Sequence, residues 1–120
     1  MLIPDCQITN KSKFIIYHTH TCESYTQSEK YMYEMTGNYR TTDNNYNVVR
    51  VGTELENCLK AKGFEVIHDS TYHDYPAYNG SYSRSLDTIN NIMMNNQDTQ
   101  FVIDLHRDAI GERRYLWPNC

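Results

Sequence analysis

Apolar residues fall into five short blocks separated by polar stretches, and the spacing inside each block predicts its element. Phe14-Ile-Ile-Tyr17 and Phe101 to Leu105 are runs of β-forming side chains, and Phe64-Glu-Val-Ile67 is a third. A run that is apolar on both faces fits a parallel strand covered by helices above and below. The first of these strands is expected to end near His18 to His20. Between the strands, Val48, Val51, Leu55 and Leu59 recur at helical spacing, with Asn47 as cap, Lys60 and Lys62 in the last turn and Gly63 just beyond. Gly52 inside that helix costs about 1 kcal/mol relative to alanine, which implies a close neighbour. Ser81 or Ser83 is expected to cap a second helix with Tyr82, Leu86, Ile89 and Met93 on one face.

The order β-loop-α-β-loop-α-β predicts an α/β fold with a parallel, or at most mixed, sheet and flanking helices. Residues 1–12 read as a polar lead-in, 13–110 as a partial domain and 111–120 as a tail where a larger domain would continue. Two long connections interrupt the pattern. Residues 21–46 are rich in Thr, Ser, Asn and Tyr, and a connection of that length is functional or carries a short helix such as Glu29 to Met35. The second connection runs from His68 to Gly80. Three strands and two helices leave a sheet edge and part of a face open, so the isolated chain is expected to be marginally stable.

Composition mainly excludes. The formal net charge is -4 and the basic residues are scattered, so no electrostatic footprint for nucleic acid or an anionic membrane is present. No apolar stretch is long enough to span a bilayer, and Met1-Leu-Ile-Pro4 lacks the features of a signal peptide. Cys6, Cys22, Cys58 and Cys120 form no C-x-x-C pair, which argues against a zinc ribbon or a redox motif. A thiolate ligand at Cys22 is conceivable from its place near the histidines. Without a partner cysteine, its expected role is that of a small, semi-buried thiol.

The chemistry lies where the strands end. His18-Thr-His-Thr-Cys-Glu23 follows the first and His106-Arg-Asp108 the third. Ligands of parallel sheets gather beyond the carboxyl ends of the strands, and both of these ends lie on one edge whatever the strand order. His18, His20, Glu23, His106 and Asp108 can therefore meet. Two histidines and a glutamate suit Zn²⁺ with one position left for water. An H-x-H after a strand also begins the metal sites of larger phosphoesterases and amidohydrolases, so a metal-dependent phosphoesterase is a weaker reading. His68 and His73 lie in an irregular polar stretch and are expected to play ordinary structural roles.

Several motifs in order resemble one family. They are His18-Thr-His-Thr-Cys-Glu-Ser-Tyr25, Gly37 to Asp43 with Asn47-Val-Val-Arg-Val-Gly52, Lys62 to Asp69, His73-Asp-Tyr-Pro76 with Tyr78 to Ser85, and Ile103-Asp-Leu-His-Arg-Asp-Ala109. From about Phe14 to Ala109 the chain resembles stage II sporulation protein P, a zinc-dependent peptidoglycan hydrolase with a fold like that of amidase 3 type N-acetylmuramoyl-L-alanine amidases. The resemblance implies cleavage between N-acetylmuramic acid and the stem peptide, with an endopeptidase activity as an addition. It also implies peptidoglycan and stage II sporulation proteins D and M as partners, and a place on the extracytoplasmic face of the sporulation septum. Carried onto this chain, the zinc ligands are His20, Glu23 and His106, with His18 as rival for His20. Arg84 and Tyr82 fall to substrate binding, and Arg107 and Asp108 to catalysis.

One departure bears on activity. The related amidases carry a catalytic glutamate on a late strand, in a motif resembling Leu-Leu-Ile-Glu-Val-Gly that residues 1–120 do not contain. Glu112 follows the His106 motif too closely to replace it, and Asp108 is a speculative substitute. The expectation is therefore a zinc amidase in truncated form, or alternatively an inactive remnant that keeps metal binding or binding to the wall or a partner.

Overall fold

A computed structural model describes residues 12–108. The lead-in up to residue 11, with Cys6, and the whole of the expected tail, with Glu112 and Cys120, lie outside the described residues. Within them, β1 (Lys13–Tyr17), α1 (Val48–Ala61), β2 (Glu65–His68), α2 (Ser81–Met94) and β3 (Phe101–Asp104) follow one another. The fold is α/β, as the pattern predicts. Strand order is β2-β1-β3 with both pairings parallel, Phe14 lying opposite Val66 on one side and Phe101 on the other.

β1 is central because its whole apolar run can be buried on two faces. Phe14, Ile15 and Ile16 are all buried, each contributing roughly 1.5–3 kcal/mol by leaving water. One face carries Phe14 and Ile16 with Val66, packed against Leu55 and Leu59 of α1 and ringed by Phe64, Phe101, Ile103 and Leu105. Phe14 stacks on Phe101 at 4.8 Å between ring centroids and leans on Phe64 at 5.3 Å. β3 is an outer strand, and its Val102 is 41% exposed.

The α1 helix begins where its sequence says. The Asn47 side chain accepts the Val49 N–H at 2.9 Å, capping one of the orphan amides of the first turn. It ends in a Schellman motif: Gly63 at φ 92 donates to Lys60 O and Phe64 donates to Leu59 O. Its inward face is Val48, Val49 and Gly52, however, and Val51 of the predicted face is exposed. The close neighbour implied at Gly52 is real, since a Cβ there would lie 2.6 Å from His68 Nε2.

The α2 helix departs further. No serine side chain caps it; its N-cap is Gly80 in the left-handed region, φ 88, and the Ser81 hydroxyl donates to Tyr78 O. The buried face is Ser81, Ser85 and Ile89, whereas Tyr82, Leu86 and Met93 of the predicted apolar face are exposed. The reason is what α2 packs on: Thr19 and His73, both polar, meet Ser85 and Thr88 through hydrogen bonds. The 21–46 connection contains no helix at Glu29 to Met35. It is pinned by bridges Glu23 to Arg40 and Ser24 to Asn47 instead.

Chain direction across the sheet reverses after β2, from β1 outward to β2 and then back over β1 to β3. Right-handed crossovers consequently put α1 and α2 on opposite faces. The carboxyl end of β1 is then a topological switch point, where a crevice opens between the two connections.

Candidate functional site

Residues 18–24 turn over that crevice. Thr19 is anchored to the end of β3: its N–H donates to Asp104 Oδ1 at 2.9 Å and its hydroxyl to Asp104 Oδ2 at 2.7 Å. A turn closed by Glu23 N–H to His20 O at 3.1 Å follows. The Cys22 N–H points at both oxygens of Asp74, 3.2 Å from each. Burial beside that carboxylate pushes the Cys22 thiol up to about 12. Cys22 is fully buried and lies beside Asp74 as a small side chain in the turn.

His18 and His20 have opposite environments. His18 is fully buried, with Nδ1 on Leu105 O at 2.9 Å and Nε2 on His68 Nε2 at 2.8 Å. Burial takes its pKa down to about 4. Both of its nitrogens are engaged. His20 is stacked on Tyr78 at 4.9 Å and meets Tyr82 and His106 edge-on at 5.2 and 5.4 Å. Its Nε2 lies a long 3.4 Å from the Tyr78 hydroxyl, and its buried Nδ1 has no hydrogen-bond partner among the described residues. Burial lowers the pKa of His20, against the pull of the Glu23 and Asp74 carboxylates.

His106 enters from the end of β3. Its Nε2 lies 3.0 Å from Asp104 Oδ2 and its Nδ1 3.4 Å from Glu23 Oε1. The same Glu23 oxygen accepts the Arg107 N–H at 3.1 Å. For Asp104 burial acts to raise the pKa, but the bonds from Thr19 and then His106 outweigh it and leave the carboxyl low. His20, Glu23 and His106 are thus brought together from β1 and β3.

The donor set suits zinc, and among the described residues the Nδ1 of His20 is a buried ring nitrogen without a hydrogen-bond partner, which a cation would satisfy in the tautomer that leaves it unprotonated. As the side chains stand, among the described residues no group of three His, Cys, Asp or Glu converges to hold a metal ion. Glu23 is turned toward His106 and Arg107 instead of toward His20.

The two arginines are held by backbone carbonyls. Arg84 donates to His73 O, Ala77 O and Asn79 O, and Arg107 to Ser24 O, Tyr39 O and Asp108 O. Among the described residues neither is paired with a carboxylate. Tyr82 forms one wall of His20, and Asp108 is exposed beyond His106. His73 braces the site from below, donating from Nδ1 to His18 O at 2.6 Å and accepting from Thr88 at 2.8 Å. Its structural role matches expectation. His68 goes beyond it, touching His18 directly.

Four residues without a role in the sequence reading belong to the site. Asp104 holds Thr19 and His106. Asp74, buried, pairs with Arg40, whose guanidinium lies 5.0 Å from the centre of the Tyr78 ring that covers His20. Tyr78, Asp74 and Arg40 sit in connections without periodicity, where nothing in the local pattern marks an inward side chain.

The family model for stage II sporulation protein P matches residues 6–117. The chain belongs to this family. No curated protein and no solved structure matches it. As a member of the stage II sporulation protein P family it is a sporulation protein, and the His18–Glu23 and Asp104–Asp108 edge lies inside the matched region. No helix among the described residues is long and apolar enough to cross a membrane.

Proposed function

We propose that this stage II sporulation protein P family chain is a zinc-dependent peptidoglycan hydrolase, an N-acetylmuramoyl-L-alanine amidase of the amidase 3 type. The reading rests on one observation above the others, the buried Nδ1 of His20, which has no hydrogen-bond partner among the described residues and belongs to a ring packed edge-on against His106, itself 3.4 Å from Glu23. His20, Glu23 and His106 would hold the ion, which supplies an activated water and polarises the amide carbonyl when bound. His18 is the weaker candidate, because both of its nitrogens are already hydrogen-bonded.

The chain's own groups bind and orient. Tyr78 and Tyr82 wall His20 on two sides and exclude water from it. Among the described residues Arg84 and Arg107 have no carboxylate partner for their guanidinium groups, and that positive charge would favour the stem-peptide carboxylates and the lactyl group of peptidoglycan. Asp108, exposed at the rim, is the group we assign to moving a proton to the leaving amine. Within this reading the protein acts on the extracytoplasmic face of the sporulation septum, with stage II sporulation proteins D and M as partners.

Zinc stoichiometry by elemental analysis tests the reading, on the purified chain and on His20→Ala and His106→Ala, together with muropeptide release from isolated cell wall. Zinc in the parent, its loss in both variants and digestion by the parent are expected. Zinc without digestion would point to a binding protein that has no hydrolytic activity, and no zinc at all would remove the site.

A further inference from the structure

The 21–46 connection holds a cavity of about 480 Å³, lined by Thr26, Gln27, Tyr33, Met35, Asn38 and Tyr39. Small-molecule sites span about 300–1,000 Å³, so its size is ordinary for one. None of the six lining side chains carries a charge at neutral pH. An ionic group entering the cavity would lose water without gaining a counter-charge, and the site therefore suits an uncharged ligand.

Its aromatic walls are held from outside. The Tyr33 hydroxyl donates to the Tyr25 carbonyl and lies 3.0 Å from the Ser24 hydroxyl, and the ring stacks on Tyr46 at 5.7 Å. The Tyr33 carbonyl accepts from the Gln27 side-chain amide at 2.9 Å. Tyr39 stands at φ 54 in the left-handed region, which asparagine tolerates far better than an aromatic residue. The turn thus has no use for the ring. Tyr39 is half exposed, and its ring meets no other aromatic ring among the described residues.

The polar groups of the lining are uncommitted in the same sense. Among the described residues Thr26, Asn38 and the Tyr39 hydroxyl make no side-chain hydrogen bond, and Gln27 uses only its amide N–H. The cavity is tied to the strand-end site through one carbonyl. Tyr39 O accepts the Ser24 N–H at 2.9 Å and an Arg107 N–H at 3.0 Å. Ser24 follows Glu23, and Arg107 follows His106.

We propose that this cavity is a subsite for one uncharged N-acetylhexosamine ring of a glycan strand. Tyr33 and Tyr39 offer flat apolar rings to the C–H face of a pyranose, and Met35 a soft contact to the acetamido methyl. The Asn38 carboxamide can donate and accept at once, which matches the N–H and carbonyl of an acetamido group; Thr26 and Gln27 serve the sugar hydroxyls. With Arg107 taking a stem-peptide carboxylate, the cavity beyond the shared Tyr39 carbonyl takes the adjoining sugar. The proposal rests on the peptidoglycan reading above for the polymer that carries this sugar, whereas the ligand class follows from the cavity's own side chains.

Chitotriose, an uncharged trimer of N-acetylglucosamine, is the probe. Titrated into the ¹⁵N-labelled full chain, it should shift the backbone amides of residues 26–39. Cellotriose, which carries hydroxyls in place of the acetamido groups, should bind more weakly. Tyr39→Asn keeps a residue suited to the left-handed turn and removes the ring, and should bind chitotriose about tenfold more weakly. Asn38→Ala, at an exposed position, should weaken it as well.

No shift at residues 26–39 in the parent overturns the proposal, and that measurement needs no variant to fold. Equal affinity for cellotriose, unchanged affinity in a folded Tyr39→Asn, or a free stem tripeptide shifting those amides in place of the sugar overturns it too. If chitotriose binds as stated and isolated cell wall is left undigested, the subsite stands and the hydrolase reading fails. Digestion of wall with no response at residues 26–39 has the opposite meaning.

Discussion

His18 and His68 share a single hydrogen bond, Nε2 to Nε2 at 2.8 Å, beneath the switch-point crevice. The Leu105 carbonyl opposite His18 Nδ1 can only accept, so His18 keeps its hydrogen there. Its Nε2 therefore accepts and His68 Nε2 donates. His68 turns its other nitrogen to Glu56 of α1, 3.3 Å away. The pair links α1, β2, β1 and the end of β3 in one line, and Gly52 leaves the room for it.

Gly52→Ala should destabilise the protein despite better helix propensity. Alanine gains about 1 kcal/mol in a helix interior. Its Cβ would lie 2.6 Å from His68 Nε2 and 3.1 Å from His18 Cε1, and both rings are tethered by hydrogen bonds, so they cannot simply move aside. Overpacking of this kind costs about 1–3 kcal/mol. The expected outcome is a lower urea midpoint, and a raised midpoint would show that the histidine pair is not held as described.

Acid should weaken the metal-free fold before any carboxylate is neutralised. Burial holds His18 at about 4 in the folded chain, against about 6.5 when unfolded. Below the unfolded value the unfolded state binds a proton that the native ring refuses. Stability is therefore whole above about pH 6.5 and falls as the pH drops toward 4, by roughly 3 kcal/mol from this group alone. His20, also lowered by burial, acts in the same direction. Denaturant unfolding at a series of pH values checks this, and the loss should be smaller in His18→Asn.

Removing Arg40 should cost more than removing it together with its partner. The Asp74 side chain is fully buried and Arg40 is four-fifths buried against it. Arg40→Leu leaves an uncompensated charge inside, worth about 3–5 kcal/mol. Arg40→Leu with Asp74→Asn should recover a good part of that loss in thermal unfolding. Simple additivity of the two single variants would argue that the pair is not coupled.

Ser85 and Leu86 should behave in the reverse of what their hydrophobicity suggests. Ser85 is buried on Thr19, and Ser85→Leu puts three carbons in place of the hydroxyl in a hydrogen-bonded contact, at about 1–3 kcal/mol. Leu86 is 56% exposed, so Leu86→Ser should change stability by no more than about 0.5 kcal/mol. Equal losses in chemical denaturation would mean that α2 is rotated from the position described here.

The contrast between the two helices shows where the sequence was readable. In α1 the cap, the terminating glycine and the close approach at Gly52 each depend on a local requirement, so each could be read from neighbouring residues. In α2 the apolar stripe at Tyr82, Leu86 and Met93 pointed to the wrong face, because the surface it meets is polar and selects Ser81, Ser85 and Thr88. The site divides in the same way. His20, Glu23 and His106 stand out as metal-binding residue types at strand ends, but Asp104, Asp74, Arg40 and Tyr78 matter through partners between 2 and 85 positions away, which no local pattern encodes.

By itself the sequence determined the alternation of strands and helices, the burial of β1 and the edge at which the histidines gather. Those follow from side-chain periodicity, turn chemistry and the right-handed crossover, all short-range causes. Only the tertiary structure decided that His18 is closed off by His68 while the Nδ1 of His20 has no partner among the described residues, and that Asp104 lies against His106. Those outcomes depend on which lone pair meets which hydrogen across the switch point, and the packing of β3 and α2 against the end of β1 settles that.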